Sequence, residues 1–489
     1  MQIQARTDYA KLVHSRQNIV NLMLSLTAPE PSSEDKRNPL ALALVIDRSG
    51  SMGWPSSQQG MTKLDHVKKS AYKLIENLSE NDSLALVSFD TAVMSVAFER
   101  MTSGGKEKLK KEVANIQPGG GTDIGAALRA AIEMFANFEG PGNCIDRIML
   151  LTDGQANNGA QKIEQFVAIL DKRRGGVGVS CFGYGTEYNE NLLAGISEHG
   201  KGGNYFIESP DNCSQAFAVE LGGLLTCYAQ KVVASIRTHK GAAVTDVLND
   251  FNVKTRQDGD GDLVTDIEVD DLYCGETRHV VVRISCDIRP KPLPRAQTVA
   301  DVSVSYVKLE DGTDMNAEEK VKIEFVRTSD AADSEADKVV VEQVALLEAA
   351  HIQVKAKKMA DDGQWAEANV LCKQSADSLR AIGSEAAICF ASAVDEVADG
   401  YNVSYSSDSR GAKSASNLGT SMLRSRASSY AGGEGALAKM ACFTSSIKEM
   451  VDKFSAGDND PVDNSVSIGT STGSHLVSNT GYVKNRVSK

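Results

Sequence analysis

The residues best suited to chemistry in this chain are oxygen-bearing side chains gathered in three short loops. The first loop, Asp47-Arg48-Ser49-Gly50-Ser51-Met52, follows the uninterrupted apolar stretch 40–46. Asp47, Ser49 and Ser51 alternate, so an extended backbone turns their oxygens to one side. The second loop, Gly119-Gly120-Gly121-Thr122-Asp123, presents Thr122 ahead of a helical stretch, and the third, Leu150-Leu151-Thr152-Asp153-Gly154, presents Asp153 after an apolar strand. Together Asp47, Ser49, Ser51, Thr122 and Asp153 form a set of hard oxygen donors without sulfur or imidazole, which suits Mg²⁺ or Mn²⁺ better than zinc or copper. Two carboxylates balance a divalent ion without filling an octahedron. A place is left for water or for an acid of another molecule. Taken singly, Thr122 reads equally as a helix cap and Asp153-Gly154 as a turn; the five residues together favour a metal site.

The elements around these loops predict how they are positioned. From 40 to 228 the pattern alternates strands (40–46, 84–89, 93–98, 147–151, 177–184, 204–207) with helices (64–78, 106–116, 124–138, 161–170, 189–197, 213–228). Asp90-Thr91 reads as the turn of a hairpin. Such alternation predicts a mainly parallel, doubly wound α/β sheet, in which ligands bind beyond the carboxyl ends of the strands. From 229 to 330 helices give way to short strands separated by Gly, Asp and Pro turns, the pattern of a β-sandwich. The apolar alternation at 20–26 has no partner nearby, so residues 1–35 are expected to join that sandwich, with the α/β domain inserted into it. From 333 to 454 the pattern is helical, with helices near 340–354, 365–382, 385–397 and 435–454. The Ser-rich segment 402–430 and the tail 455–489 are expected to be flexible.

The three loops resemble the metal-ion-dependent adhesion site (MIDAS) of the von Willebrand factor A (VWA) domain, whose pattern is D-x-S-x-S on the first loop, Thr on the second and Asp on the third. Asp47, Ser49, Ser51, Thr122 and Asp153 match all five positions, and the order of strands and helices matches over about 40–228. The resemblance implies a Rossmann-like binding module. In it Ser49, Ser51 and Thr122 touch the metal directly, Asp47 and Asp153 act partly through water, and a partner Asp or Glu completes the coordination. The uninterrupted domain is most similar to intracellular or bacterial stand-alone members. Plant relatives linked to ubiquitin ligation carry a zinc-binding RING ahead of the domain; only 39 residues stand there in this chain, without paired cysteines, so ligase activity is not carried over. Arg48, Met52 and Trp54 beside the site are candidate exposed contacts for the partner. The expected function is a non-enzymatic, metal-dependent protein-binding scaffold. The alternative is a regulatory subunit of an enzyme complex, such as an AAA+ ATPase or a kinase–phosphatase system.

Several other chemistries fit poorly. A haloacid dehalogenase-type phosphotransferase needs a second acid two residues after its Asp, where Ser49 stands. There is no G-x-x-x-x-G-K-[ST] loop, no G-x-S-x-G elbow around Ser51, and no zinc motif among the seven histidines. Asp258-Gly-Asp-Gly-Asp262 lacks the glycine an EF-hand needs at its sixth position, where Leu263 stands, and reads as a hairpin turn. The chain has 489 residues, enough for roughly three domains, and a net charge of −13. That balance argues against nucleic acid or anionic membranes as partners. Nine widely spaced cysteines without a C-x-x-C pair read as free thiols of a reducing compartment. The N-terminus lacks a secretory pattern, and the apolar run 40–46 is far short of the ~20 residues that span a bilayer. A cytoplasmic location is expected.

Overall fold

The computed structural model describes residues 1–402, apart from 15, 30–37, 56–59, 142–143, 155, 174, 186–187, 208–212, 270, 310–311 and 328–334. The expected helix at 435–454, the Ser-rich segment from 403 onward and the tail 455–489 lie outside the described residues.

Three strands, β1 (Gln2–Thr7), β2 (Lys11–Val13) and β3 (Asn18–Thr27), precede an α/β unit. That unit runs β4 (Leu40–Asp47), a 3₁₀ turn (Gly50–Gly53), α1 (Lys63–Asn77), β5 (Ser83–Phe89), β6 (Val93–Arg100), α2 (Ser103–Asn115), α3 (Ile124–Ala136) and β7 (Ile145–Thr152). It continues through α4 (Ile163–Leu170), β8 (Gly178–Tyr184), α5 (Glu190–His199), β9 (Lys201–Ile207) and α6 (Cys213–Leu225). Its sheet has the order β6-β5-β4-β7-β8-β9. All neighbours are parallel except the β5–β6 hairpin. The chain leaves β4 for β5 on one side and returns to β7 on the other, so the crevice at the carboxyl end of β4 is the switch point where doubly wound sheets bind ligands.

β4 shows why its sequence lacks alternation. Every residue from Leu40 to Asp47 is buried, with Leu40, Leu42, Leu44 and Ile46 facing a core shared with α1, α2 and α6. Ala41, Ala43 and Val45 face the opposite core, shared with α3, α4 and α5. Burial on both faces is the expected state of a central parallel strand. The small residues admit the helices on one face, and the large ones fill the other.

The remaining strands are β10 (Cys227–Thr238), β11 (Ala242–Val247), β12 (Asn252–Gln257), β13 (Leu263–Glu268), β14 (Leu272–Tyr273), β15 (Thr277–Cys286), β16 (Arg295–Lys308) and β17 (Thr313–Val326). They form two sheets, β1-β3-β15-β11 and β12-β13-β10-β16-β17-β2, with β14 paired to β10. β3 and β15 pair over ten positions, from Asn18↔Cys286 to Thr27↔Thr277. One apolar core unites the sheets, with Leu22, Leu24, Val280 and Val282 on one side and Ile236, Val302 and Ile323 on the other. The helices α7 (Lys338–Asp361), α8 (Trp365–Ile382) and α9 (Glu385–Gly400) pack together and against Met23, Leu248 and Val281.

Several elements differ from expectation. Helix α6 ends at Leu225, where the Thr226 hydroxyl donates to the carbonyls of Gly222 (3.3 Å) and Gly223 (2.9 Å), and β10 begins at Cys227. The strands expected at 301–307 and 320–326 are parts of a hairpin of two 14-residue arms, paired from Arg295↔Phe325 to Lys308↔Thr313: the first lies next to its turn on β16, the second at its far end on β17. The stretches that extend these arms, 295–298 and 313–319, are exposed or half-buried, so they carry no apolar core signal. β1 and β2 also lie in segments without an apolar pattern; β1 is held through β3 and β2 through β17. At 258–262 the hairpin reading agrees with the structure: β12 and β13 pair across that turn. Arg237 meets Asp258, Asp260 and Asp262 there at 2.7, 2.7 and 3.2 Å.

Candidate functional site

At the carboxyl end of β4 the chain enters the 3₁₀ turn through Asp47-Arg48-Ser49. The Ser49 amide donates to Asp47 Oδ1 (2.7 Å), and the Met52 amide to the Ser49 carbonyl (3.0 Å). The loop is stitched to its neighbours by backbone bonds: Arg48 N to the Phe89 carbonyl (2.8 Å), Gly50 N to the Gly120 carbonyl (2.9 Å) and Gly119 N to the Arg48 carbonyl (2.6 Å). Glycine is required at 119, where a Cβ would stand 1.8 Å from Asp90 Oδ2. Asp123, not Thr122, caps α3, accepting from the Ala126 amide (2.8 Å). Thr122 is held by its backbone instead: its amide donates to Asn157 Oδ1 (2.8 Å), and its carbonyl accepts from the amides of Asn157 and Asn158.

These loops bring the five expected residues to one place. Asp47, Ser49, Thr122 and Asp153 are buried, and Ser51 is half-buried. The Ser49 and Ser51 hydroxyls lie 3.2 Å apart, and Ser51 Oγ donates to Asp153 Oδ1 (2.8 Å). Thr152 Oγ1 donates to Asp47 Oδ2 (2.5 Å) and accepts from the Gly154 amide (3.2 Å). A Cβ on Gly154 would stand 3.4 Å from Thr122 Oγ1 and 3.9 Å from Asp47 Oδ2, so the glycine keeps the floor between them open. Burial pushes the Asp47 carboxyl up to about 6; bonds from Thr152 and Ser49 pull against that rise, and the nearby Asp153 charge adds to it.

The donor chemistry fits a hard divalent cation: three hydroxyls and two carboxylates converge, one carboxylate is raised by desolvation, and no sulfur or imidazole intrudes. Carboxylates are sparse, and among the described residues no three His, Cys, Asp or Glu side chains gather as a metal-binding group. Any cation here would depend on the hydroxyls.

Of the three residues expected to face a partner, Trp54 is 57% exposed. Arg48 is directed inward, pairing with Asp90 Oδ2 (3.1 Å) and donating to the Gln117 carbonyl (3.4 Å). Met52 is a correction: it is fully buried and packs with Leu44, Ile46 and Leu64, because the 3₁₀ turn rotates it under the loop.

Sequence reading missed three residues that build the site. Lys63, the first residue of α1, places Nζ 2.5 Å from Asp153 Oδ2 and 5.8 Å from the centre of the Trp54 ring. Asp90 accepts from the amides of Ala92 (2.7 Å) and Gly120 (2.9 Å) and pairs with Arg48. Burial works against its charge, yet these partners hold its carboxyl below the usual range. Thr152 orients Asp47. The one available signal was the capping box Thr62-x-x-Asp65, which marks the start of α1 and hence Lys63.

A cleft of about 740 Å³ lies at the other end of the sheet, between α4 and α5 and strands β10, β12 and β13. Its wall includes Gly178, which pairs with Arg147 at the start of β7, five residues before Thr152. It shares no residue with the site.

Comparison with known proteins agrees with this geometry. Residues 41–218 match the von Willebrand factor type A domain. An uncharacterized protein of Synechocystis sp. is 30% identical over 193 residues, which are 39% of this chain and 43% of that protein, so the likeness spans less than half of the relative's length. Among solved structures, a von Willebrand factor type A protein from Catenulispora acidiphila superposes with a TM-score of 0.62 at 18% identity, covering 81% of this chain and 89% of its own. The ArnB paralog VWA2 from Sulfolobus acidocaldarius superposes with a TM-score of 0.59 at 14% identity, covering 86% and 97%. At these identities the likeness is one of fold, and it reaches beyond the α/β unit. This chain contains a von Willebrand factor type A domain, formed by the unit that runs from β4 into α6.

Proposed function

We propose that this chain is a metal-dependent protein-binding scaffold whose VWA domain captures an acidic side chain of a partner protein at a MIDAS-type site. Ser49, Ser51 and Thr122 would hold Mg²⁺ or Mn²⁺ directly, with Asp47 and Asp153 behind them. The bound cation would supply a compact positive charge with an open position for a carboxylate. The chain's own residues do the rest. Thr152 orients Asp47, Ser51 fixes Asp153, and the loops bonded through Gly50, Gly119 and Gly120 hold the three hydroxyls in register. No reaction step is assigned to the site. In the same reading, the two sheets beside the VWA domain are a β-sandwich that carries it as an insertion, and α7–α9 extend that support.

The observation that carries this proposal is the hydrogen-bonded chain Ser49–Ser51–Asp153 beside a buried Asp47. Hydroxyls and carboxylates from separate loops converge at the carboxyl edge of the sheet, where a doubly wound fold binds ligands. The test is affinity capture by the immobilised protein in Mn²⁺ and in chelator, with wild type and D47A. Partners should be retained only by wild type in metal. Equal retention in all arms would show that capture does not use this site.

A further inference from the structure

Lys63 stands where helix energetics disfavour it. It is the first residue of α1, and a cation there opposes the positive end of the helix dipole. It is nevertheless tightly placed. Its amide donates to the Trp54 carbonyl (3.3 Å), the capping box Thr62–Asp65 fixes the turn beneath it, and its side chain is only 18% exposed. The ammonium reaches Asp153 Oδ2, while Ser51 holds Asp153 Oδ1.

The charges at the site follow from these contacts. Asp47 and Asp153 contribute two negative charges and Lys63 one positive, and the neighbouring Arg48–Asp90 pair is neutral in sum. The site carries a net −1 before any cation arrives. A divalent ion brings it to +1, and one carboxylate from outside then brings it to zero. With a neutral residue at 63, the divalent ion alone would reach zero, and an incoming carboxylate would leave a negative charge in a largely desolvated place.

We propose that Lys63 makes binding of the metal and of the partner's carboxylate interdependent: its ammonium opposes the cation alone and leaves the loaded site with one positive charge for a single acid to neutralise. This rests on the metal reading above and concerns how that site is regulated. Lys63 is a positioning and charge-setting residue that leaves the hydroxyl ligands untouched. Trp54, exposed beside it, gives the acid an apolar neighbour, so the favoured partner motif is an Asp or Glu next to an apolar residue.

The test uses Mn²⁺ as the metal and acetate as the carboxylate, read by titration calorimetry and Mn²⁺ paramagnetic resonance on the full chain. Wild type, K63M, K63Q and K63R are compared, with circular dichroism to verify folding. Without acetate, the two neutral variants should bind Mn²⁺ about tenfold more tightly than wild type, since a like charge next to the ion has been removed. K63R should resemble wild type. Acetate should tighten Mn²⁺ binding by wild type and K63R, and clearly less by K63M and K63Q. Unchanged or weaker Mn²⁺ binding by the neutral variants, or an acetate effect equal in all four proteins, would overturn the role of Lys63 while leaving the metal site standing. If none of the four binds Mn²⁺, the metal reading itself fails, and the role of Lys63 with it.

Discussion

Arg147 offers the sharpest test of how the VWA domain is held to the rest of the chain. It sits on β7 with a side chain 1% exposed. Its Nη1 donates to the Lys201 carbonyl (3.1 Å), one terminal nitrogen lies 3.3 Å from Asp271 Oδ2, and Nε lies 3.4 Å from Glu220 Oε1. Burial disfavours its charge, but Glu220 and Asp271 outweigh burial and hold the guanidinium above its ordinary range. Glu220 also accepts from Ser180 (2.5 Å) and Tyr205, and Asp271 from Gln230 (3.2 Å). Asp271 follows β13 and Gln230 lies on β10, so this network spans the VWA domain and the neighbouring sheet. R147M keeps much of the volume and removes the positive charge that faces the Glu220 and Asp271 carboxylates. Breaking a buried pair from one side costs about 3–5 kcal/mol, and urea unfolding at pH 7 should show a loss of that size. The triple variant R147M/E220Q/D271N removes the two carboxylate charges as well and should recover most of the loss, because a buried ion cluster and a neutral one differ far less than a broken cluster does. A cost below about 1 kcal/mol for R147M, or a triple variant no better than the single one, would refute the view that buried charge complementarity holds this junction.

Other outcomes follow from the same contacts. D47A and chelator should each abolish metal-dependent capture of partners, measured by affinity purification. K63M and K63Q should tighten Mn²⁺ binding while weakening the effect of acetate. D90A removes the acceptor for the Ala92 and Gly120 amides and the partner of Arg48; it should cost about 2 kcal/mol in urea unfolding and weaken Mn²⁺ binding through the loop that carries Thr122. Burial, with a smaller contribution from Arg6, lowers His279 to about 4 from an ordinary value of 6.5. The unfolded chain therefore takes up a proton below pH 6.5 that the folded chain refuses until about pH 4. Stability should fall across that window, by at most about 3 kcal/mol from this group. H279Q should flatten the slope between pH 7 and pH 4.5; an identical slope in both proteins would remove His279 as its cause.

Much of the VWA domain was legible because its signals are local. The unbroken apolar run of β4 requires cover on both faces, and the helical spacing in α1 and α3 follows from one-sided burial. The ligand candidates were legible for the same reason: Asp47, Ser49 and Ser51 sit within five residues, and Thr122 and Asp153 each follow a recognisable loop onset. Met52 was misplaced because a sequence does not show the rotation that a 3₁₀ turn imposes. The full arms of β16 and β17 were not visible either, since strands paired through their backbones beyond the core need no apolar pattern.

The sequence alone thus determined where the oxygen donors lie along the chain, which strands are buried, and that the site belongs at the carboxyl edge of a parallel sheet. Tertiary structure decided what surrounds those donors. Lys63 and Asp153 are 90 positions apart, as are Asp90 and Arg48 by 42, and neither pair has a periodicity that foretells it. Their contacts exist because β4, β5 and β7 are adjacent in the sheet, so that loops distant along the chain share one edge. The charge of the site is therefore a property of the fold: two acids can be counted in the sequence, but the lysine that offsets one of them is brought there by the packing of α1.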